Sequence, residues 1–148
     1  MTKMKHKILF FLGLLLIIPT AAMSQDITLI NDTEDVITID INVYDVKEKE
    51  SINAAIPYAY YTIFFRGFPD SYYFKDGLVG TDENFVNRHS EYFKKMEEGR
   101  FSSFITAASL INYNKKSKPK AATVRMSINM RALKRDLEQQ GIKRRFGL

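Results

Sequence analysis

Val36-Ile37-Thr38-Ile39-Asp40-Ile41-Asn42-Val43-Tyr44-Asp45-Val46 alternates apolar and polar side chains residue by residue. Successive side chains of a strand point to opposite faces, so Ile37, Ile39, Ile41 and Val43 share one face and Thr38, Asp40, Asn42 and Tyr44 the other. This predicts a strand with one dry and one wet side, and therefore a sheet covered on one side only. Ahead of it, Ile27–Ile30 reads as a short strand, and Asn31-Asp32-Thr33-Glu34-Asp35 as the turn of a hairpin.

Downstream the period changes. Ile52, Ala55, Ile56, Ala59, Tyr60, Ile63 and Phe64 recur at helical spacing. Pro57 belongs in a first turn, where its missing N–H costs nothing, so the regular helix is expected to start near Ile56. Gly67 is expected to close it in left-handed conformation, with Phe68 folded back on Ile63, and Pro69 prevents continuation. Residues 69–83 read as a loop. A second helix follows to about Glu98, with Phe85, His89, Tyr92, Phe93 and Met96 on one face and Gly99 at its end.

Phe101–Ile111 reads as a strand and Asn112–Lys120 as a Lys-rich connection. Val124, Met126, Ile128 and Met130 then alternate with polar residues in another one-faced strand. The last helix spans about Arg131–Gln140, with Gly141 as its cap and Ile142 contacting Leu137. The expected fold is α+β: an antiparallel sheet of about four strands with three helices on one face, in the order β-β-α-α-β-β-α.

The N-terminus reads as an address. Lys3, Lys5 and Lys7 precede an apolar run from Ile8 to Ile18, and Pro19 and small residues follow. Ala22 and Ser24 suit the −3 and −1 pockets of a signal peptidase, so residues 1–24 read as a signal peptide and 25–148 as one mature domain. Eleven residues fall short of the roughly 20 that a transmembrane helix needs, and no other span is expected after cleavage. The chain has no Cys, which excludes a disulfide framework and a lipid anchor on Cys. Some 124 residues suffice to bury about two-thirds of the unfolded surface in one core.

Charge is unevenly spread. Residues 25–111 carry fifteen acids and eight bases; residues 112–148 carry eleven bases and only Asp136 and Glu138 as acids. Either the halves neutralise one another in the fold, or the basic part meets an anionic partner. Two basic groups stand out. One is Lys115, Lys116, Lys118 and Lys120; the other is Lys143, Arg144 and Arg145, followed by Phe146. The latter four residues are candidate partner-binding residues, as are Tyr58, Tyr61 and Phe65, which fall off the helix stripe and are expected to be partly exposed. A second packing layer under the 69–83 loop is the structural alternative for these aromatics.

Catalytic sets are sparse. His89 is the sole histidine after residue 24, and its aromatic neighbours at helical spacing mark it as a core-edge residue. No metal or cofactor site is expected from one His and no Cys. There is no Gly-x-Ser-x-Gly elbow and no phosphate loop. Asp70, Asp76, Asp82 and Glu83 are the candidates for a carboxylate pair of the glycoside-hydrolase kind.

Phe65-Arg66-Gly67-Phe68-Pro69, Leu78-Val79-Gly80-Thr81, Gly99-Arg100-Phe101 with Phe104-Ile105-Thr106, and the segment from Ala132 to Leu148 resemble a group of small secreted proteins of Bacteroidota. The resemblance spans nearly the whole mature chain. It implies a Gram-negative envelope setting and carries over no activity or site residue. The leading functional expectation is a non-enzymatic periplasmic or outer-membrane-associated module that binds another envelope protein or an anionic surface, not nucleic acid. The alternatives are a carboxylate-type enzyme acting on cell-wall glycans and a carrier of a small apolar ligand.

Overall fold

A computed structural model describes residues 26–142. The expected signal peptide and Lys143, Arg144, Arg145 and Phe146 lie outside the described residues. Strands β1 (Ile27–Asp32), β2 (Val36–Tyr44), β3 (Ile105–Asn114) and β4 (Ala121–Asn129) form one antiparallel sheet in the order β1-β2-β4-β3. Two hairpins are thus joined through their later strands, with Val36 opposite Asn129 and Tyr44 opposite Ala121. The fold is α+β, as the two periods in the sequence require.

The alternation at 36–46 does what its chemistry demands. Ile37, Ile39, Ile41 and Val43 are buried and stand opposite Ile128, Met126, Val124 and Ala122 of β4 on the same face. Burying each large aliphatic side chain contributes about 1.5–3 kcal/mol, so this double row is a main source of stability. The opposite face is polar and satisfies itself. Arg125 grips Asp40 bidentately at 2.8 and 2.9 Å, Thr123 donates to Asn42 at 2.7 Å, and Thr38 and Ser127 are 2.9 Å apart.

Helix α1 (Ser51–Tyr61) lies on the dry face, where fully buried Ala55 and Ala59 permit close approach. It begins at Ser51, after a 3-10 turn at Glu48–Glu50, and so earlier than the expected start near Ile56. Pro57 therefore sits inside the helix. It is tolerated because both it and Asn53, whose carbonyl loses the Pro57 partner, are exposed to solvent.

The helix then widens into a π turn over Thr62–Arg66, with Gly67 N–H donating to the Thr62 carbonyl at 2.7 Å. Gly67 terminates the element, but at φ 73° and ψ −172°, outside the left-handed helical well expected of it. The carbonyls of Ile63 and Phe64 are taken by Leu78 and Val79 N–H from the following loop. Gly67 and Gly77 make this crossing possible. A Cβ on Gly67 would stand 2.4 Å from the Asp76 carbonyl carbon, and one on Gly77 2.5 Å from that of Phe65.

The expected second helix is two: α2 (Glu83–Arg88) and α3 (Ser90–Glu97), broken at His89 with φ −112° and ψ 27°. The Asp82 side chain caps α2, accepting Asn84 N–H at 3.0 Å and Phe85 N–H at 3.3 Å. Phe93 of α3 packs edge-on against Phe64. A 3-10 turn at Arg100–Phe104 precedes β3, so that strand starts at Ile105 rather than Phe101, whose ring is buried in the core. Helix α4 (Met130–Gln139) is capped by the Asn129 side chain, which accepts Ala132 N–H at 3.0 Å. It ends as expected: Gly141 has φ 67°, and Gly141 and Ile142 N–H return to the Glu138 and Leu137 carbonyls.

A cationic cleft between the middle and last helices

The side chains with the most unusual surroundings converge where α3 meets the end of α4. Asp136 is on the inner face of α4, beside Leu133 and Leu137, and is almost fully buried. A lone carboxylate there would be costly. It is compensated twice: the Tyr92 hydroxyl donates to Oδ2 at 2.9 Å, and Arg100 donates to Oδ1 in a close ion pair. Burial, reinforced by the Asp136 bond, holds the Tyr92 pKa well above the ordinary tyrosine value. The Asp136 hydrogen bond and charge likewise raise the Arg100 pKa.

Above this cluster is a cleft of about 440 Å³ lined by Arg88, His89, Glu91, Lys95, Arg100 and Ile142, with Ser90, Tyr92 and Gln140. With Arg100 already paired to Asp136, Arg88 and Lys95 against Glu91 leave its walls with a small cationic excess. The break at His89 helps to build it, because Arg88 ends α2 and Lys95 lies on α3. His89 rests against the Phe85 ring at 4.7 Å, and Arg88 lies 6.0 Å from the same ring. His89 is thus half-buried at the core edge.

The residues singled out from sequence are dispersed. Tyr58, Tyr61 and Phe65 are half-buried. Phe65 packs against Tyr60 and Phe93, each at 5.9 Å, and Tyr61 stacks beside Phe65 at 5.5 Å. The open aromatics are Tyr72, 89% exposed, and its neighbour Tyr73. Asp70, Asp76 and Glu83 are exposed, while the Asp82 carboxylate is engaged as a cap. Among the described residues, no group of three or more His, Asp or Glu is placed to hold a metal ion. Lys115–Lys120 form the β3–β4 connection, at the end of the sheet opposite the start of α4.

The charge imbalance is partly settled within the fold. Arg125 and Arg131 of the basic segment pair with Asp40 and Asp35 of the acidic one. Arg88, Lys95 and Arg100 went unrecognised in the sequence because they contribute from three separate elements. The sequence carried a partial signal, since Arg88, Glu91 and Lys95 recur at spacings of three and four, although the break at His89 puts Arg88 on α2 and the other two on α3.

Comparison with protein-family models, with curated proteins and with solved structures finds no match to this chain. The functional reading therefore rests on the residues themselves.

Proposed function

We propose that this chain is an exported, non-catalytic binding module of the cell envelope, and that its partner presents an anionic surface to the cleft at α3 and α4. The observation that carries the reading is the meeting of Arg88, Lys95 and Arg100 around a cleft whose rim includes Ile142. The next residues in the chain are Lys143, Arg144 and Arg145. The reading extends to these bases on their adjacency to Ile142 in the sequence. Charges so arranged steer an anionic partner and raise its encounter rate, with a salt dependence set by a Debye length of about 8 Å at physiological ionic strength. Export is supported by the basic, apolar and small-residue segments of residues 1–24. In addition, no helix among the described residues is long and apolar enough to cross a membrane.

Affinity capture from envelope extracts tests this. The protein is compared with Arg88→Ser/Lys95→Ser and with Lys143→Ser/Arg144→Ser/Arg145→Ser. Both variants should lose the same retained partner and flatten its salt dependence, with the melting temperature nearly unchanged. Equal capture by all three proteins would refute the reading.

A further inference from the structure

We infer that the cleft at α3 and α4 is a subsite for a sugar acid, a pyranose ring of an anionic glycan that carries one carboxylate among its hydroxyls. The inference rests on the binding reading above and names the chemistry of the anionic group.

The cleft offers acceptors as well as bases. Arg100 gives one nitrogen, Nη2, to Asp136, and the rest of its fork has no partner among the described residues. Arg88 and Lys95 form no ion pair there. Glu91 stands four residues before Lys95, the spacing at which Glu and Lys pair on a helix. Even so, no ion pair or hydrogen bond among the described residues engages its carboxylate. The Ser90 and Gln140 side chains are likewise without a partner among these residues. A bare anion would use the donors alone, and Glu91 would repel it. A ligand that satisfies both kinds of group carries an anion and hydroxyl donors side by side.

Charge and size narrow the class. With Arg100 paired to Asp136, Arg88 and Lys95 exceed Glu91 by one positive charge. One sugar carboxylate matches that excess. A phosphate monoester, with about 1.5 to 2 negative charges at neutral pH, overshoots it. An Asp or Glu of a peptide matches the charge but brings no hydroxyl beside its carboxylate for Glu91. At about 440 Å³ the cleft falls in the range of small-ligand sites, roughly 300–1,000 Å³. Tyr92 and Ile142, the buried members of its lining, supply apolar surface for the C–H face of a pyranose. The bonds of Tyr92 and Arg100 to Asp136 hold the walls in place before a ligand arrives.

Calorimetric titration of the mature chain decides the matter. The probes are trigalacturonic acid, the corresponding neutral galactose trisaccharide, acetate, triglutamate and galactose 6-phosphate. The uronide should bind about tenfold or more tighter than each of the others. Arg88→Ser/Lys95→Ser should weaken it by about tenfold. Glu91→Ala is the sharper test, because removing an acid strengthens any site for a bare anion. Here it should strengthen acetate binding yet weaken the uronide by about threefold. A chain that does not bind the uronide, or that prefers the phosphate, the peptide or acetate, overturns the inference. So does tighter uronide binding by Glu91→Ala. If a variant does not fold, as read by circular dichroism, the order of the probes on the wild-type chain decides by itself. Envelope capture separates the two readings. Loss of the captured partner by Arg88→Ser/Lys95→Ser without uronide binding sinks this inference alone. Unchanged capture together with no uronide binding sinks both.

Discussion

The Tyr92 hydroxyl donates to the Asp136 carboxylate at 2.9 Å and so ties α3 to α4 across 44 residues of sequence. Tyr92 and the deeply buried Tyr60 both have raised pKa values, chiefly from burial. For an acid raised in this way, the folded chain favours the neutral form. Its stabilisation is complete below the unfolded value of about 10 and is lost as pH rises through that value toward the folded one. Stability should therefore fall above about pH 10. Of the eight tyrosines, Tyr60 and Tyr92 should ionise only as the chain unfolds. Tyrosinate absorbance and circular dichroism followed along one alkaline titration check this. Ionisation of all eight before the dichroism changes would contradict the buried placement.

Tyr60 is 3% exposed, and its hydroxyl has no hydrogen-bond partner among the described residues. A buried polar group without a partner costs about 1–3 kcal/mol. Tyr60→Phe keeps the ring that packs on Phe64 and Phe101 and removes that cost. Urea unfolding should show a gain of about 1 kcal/mol. A loss of similar size would mean that the hydroxyl is satisfied in solution.

Gly67→Ala tests the turn that closes the first helix. The substitution meets both a positive φ and backbone atoms of Asp76. Neither can be relieved by rotating a side chain, so a loss of about 2–4 kcal/mol is expected. Gly80→Ala is the comparison. It shares the positive φ but meets open space, and should lose about 1 kcal/mol. Equal losses would remove the Asp76 contact from the explanation.

How much could be read in advance depended on how local each cause was. The strands around Ile39 and Met126 were legible because alternation is a property of neighbouring residues. The Gly141–Ile142 cap was legible for the same reason. Pro57 misled, because whether a proline ends a helix depends on which carbonyl it deprives and whether water reaches that carbonyl. The break at His89 had no glycine or proline to announce it. β3 was placed four residues early, since Phe101 looks equally apolar in a strand or in a 3-10 turn. The cleft was the least legible feature. Arg88, Lys95, Arg100 and Ile142 meet only after Tyr92 and Asp136 have joined two distant helices. The candidate aromatics at 58, 61 and 65 were read from helix geometry alone, which does not reveal that Phe93 arrives beside Phe65.

The pairing of Val36 with Asn129 governs when this chain can fold. β2 is synthesised early, yet its neighbour at the sheet centre is the last strand made. Until then the β1–β2 hairpin displays Ile37, Ile39, Ile41 and Val43 with no opposing row beside them. Contacts between segments so far apart in sequence are slow to close, on the order of milliseconds to seconds. The nascent chain therefore has no early route to a finished core. Until β4 arrives, Val36–Tyr44 is therefore the segment most exposed to mispairing and aggregation.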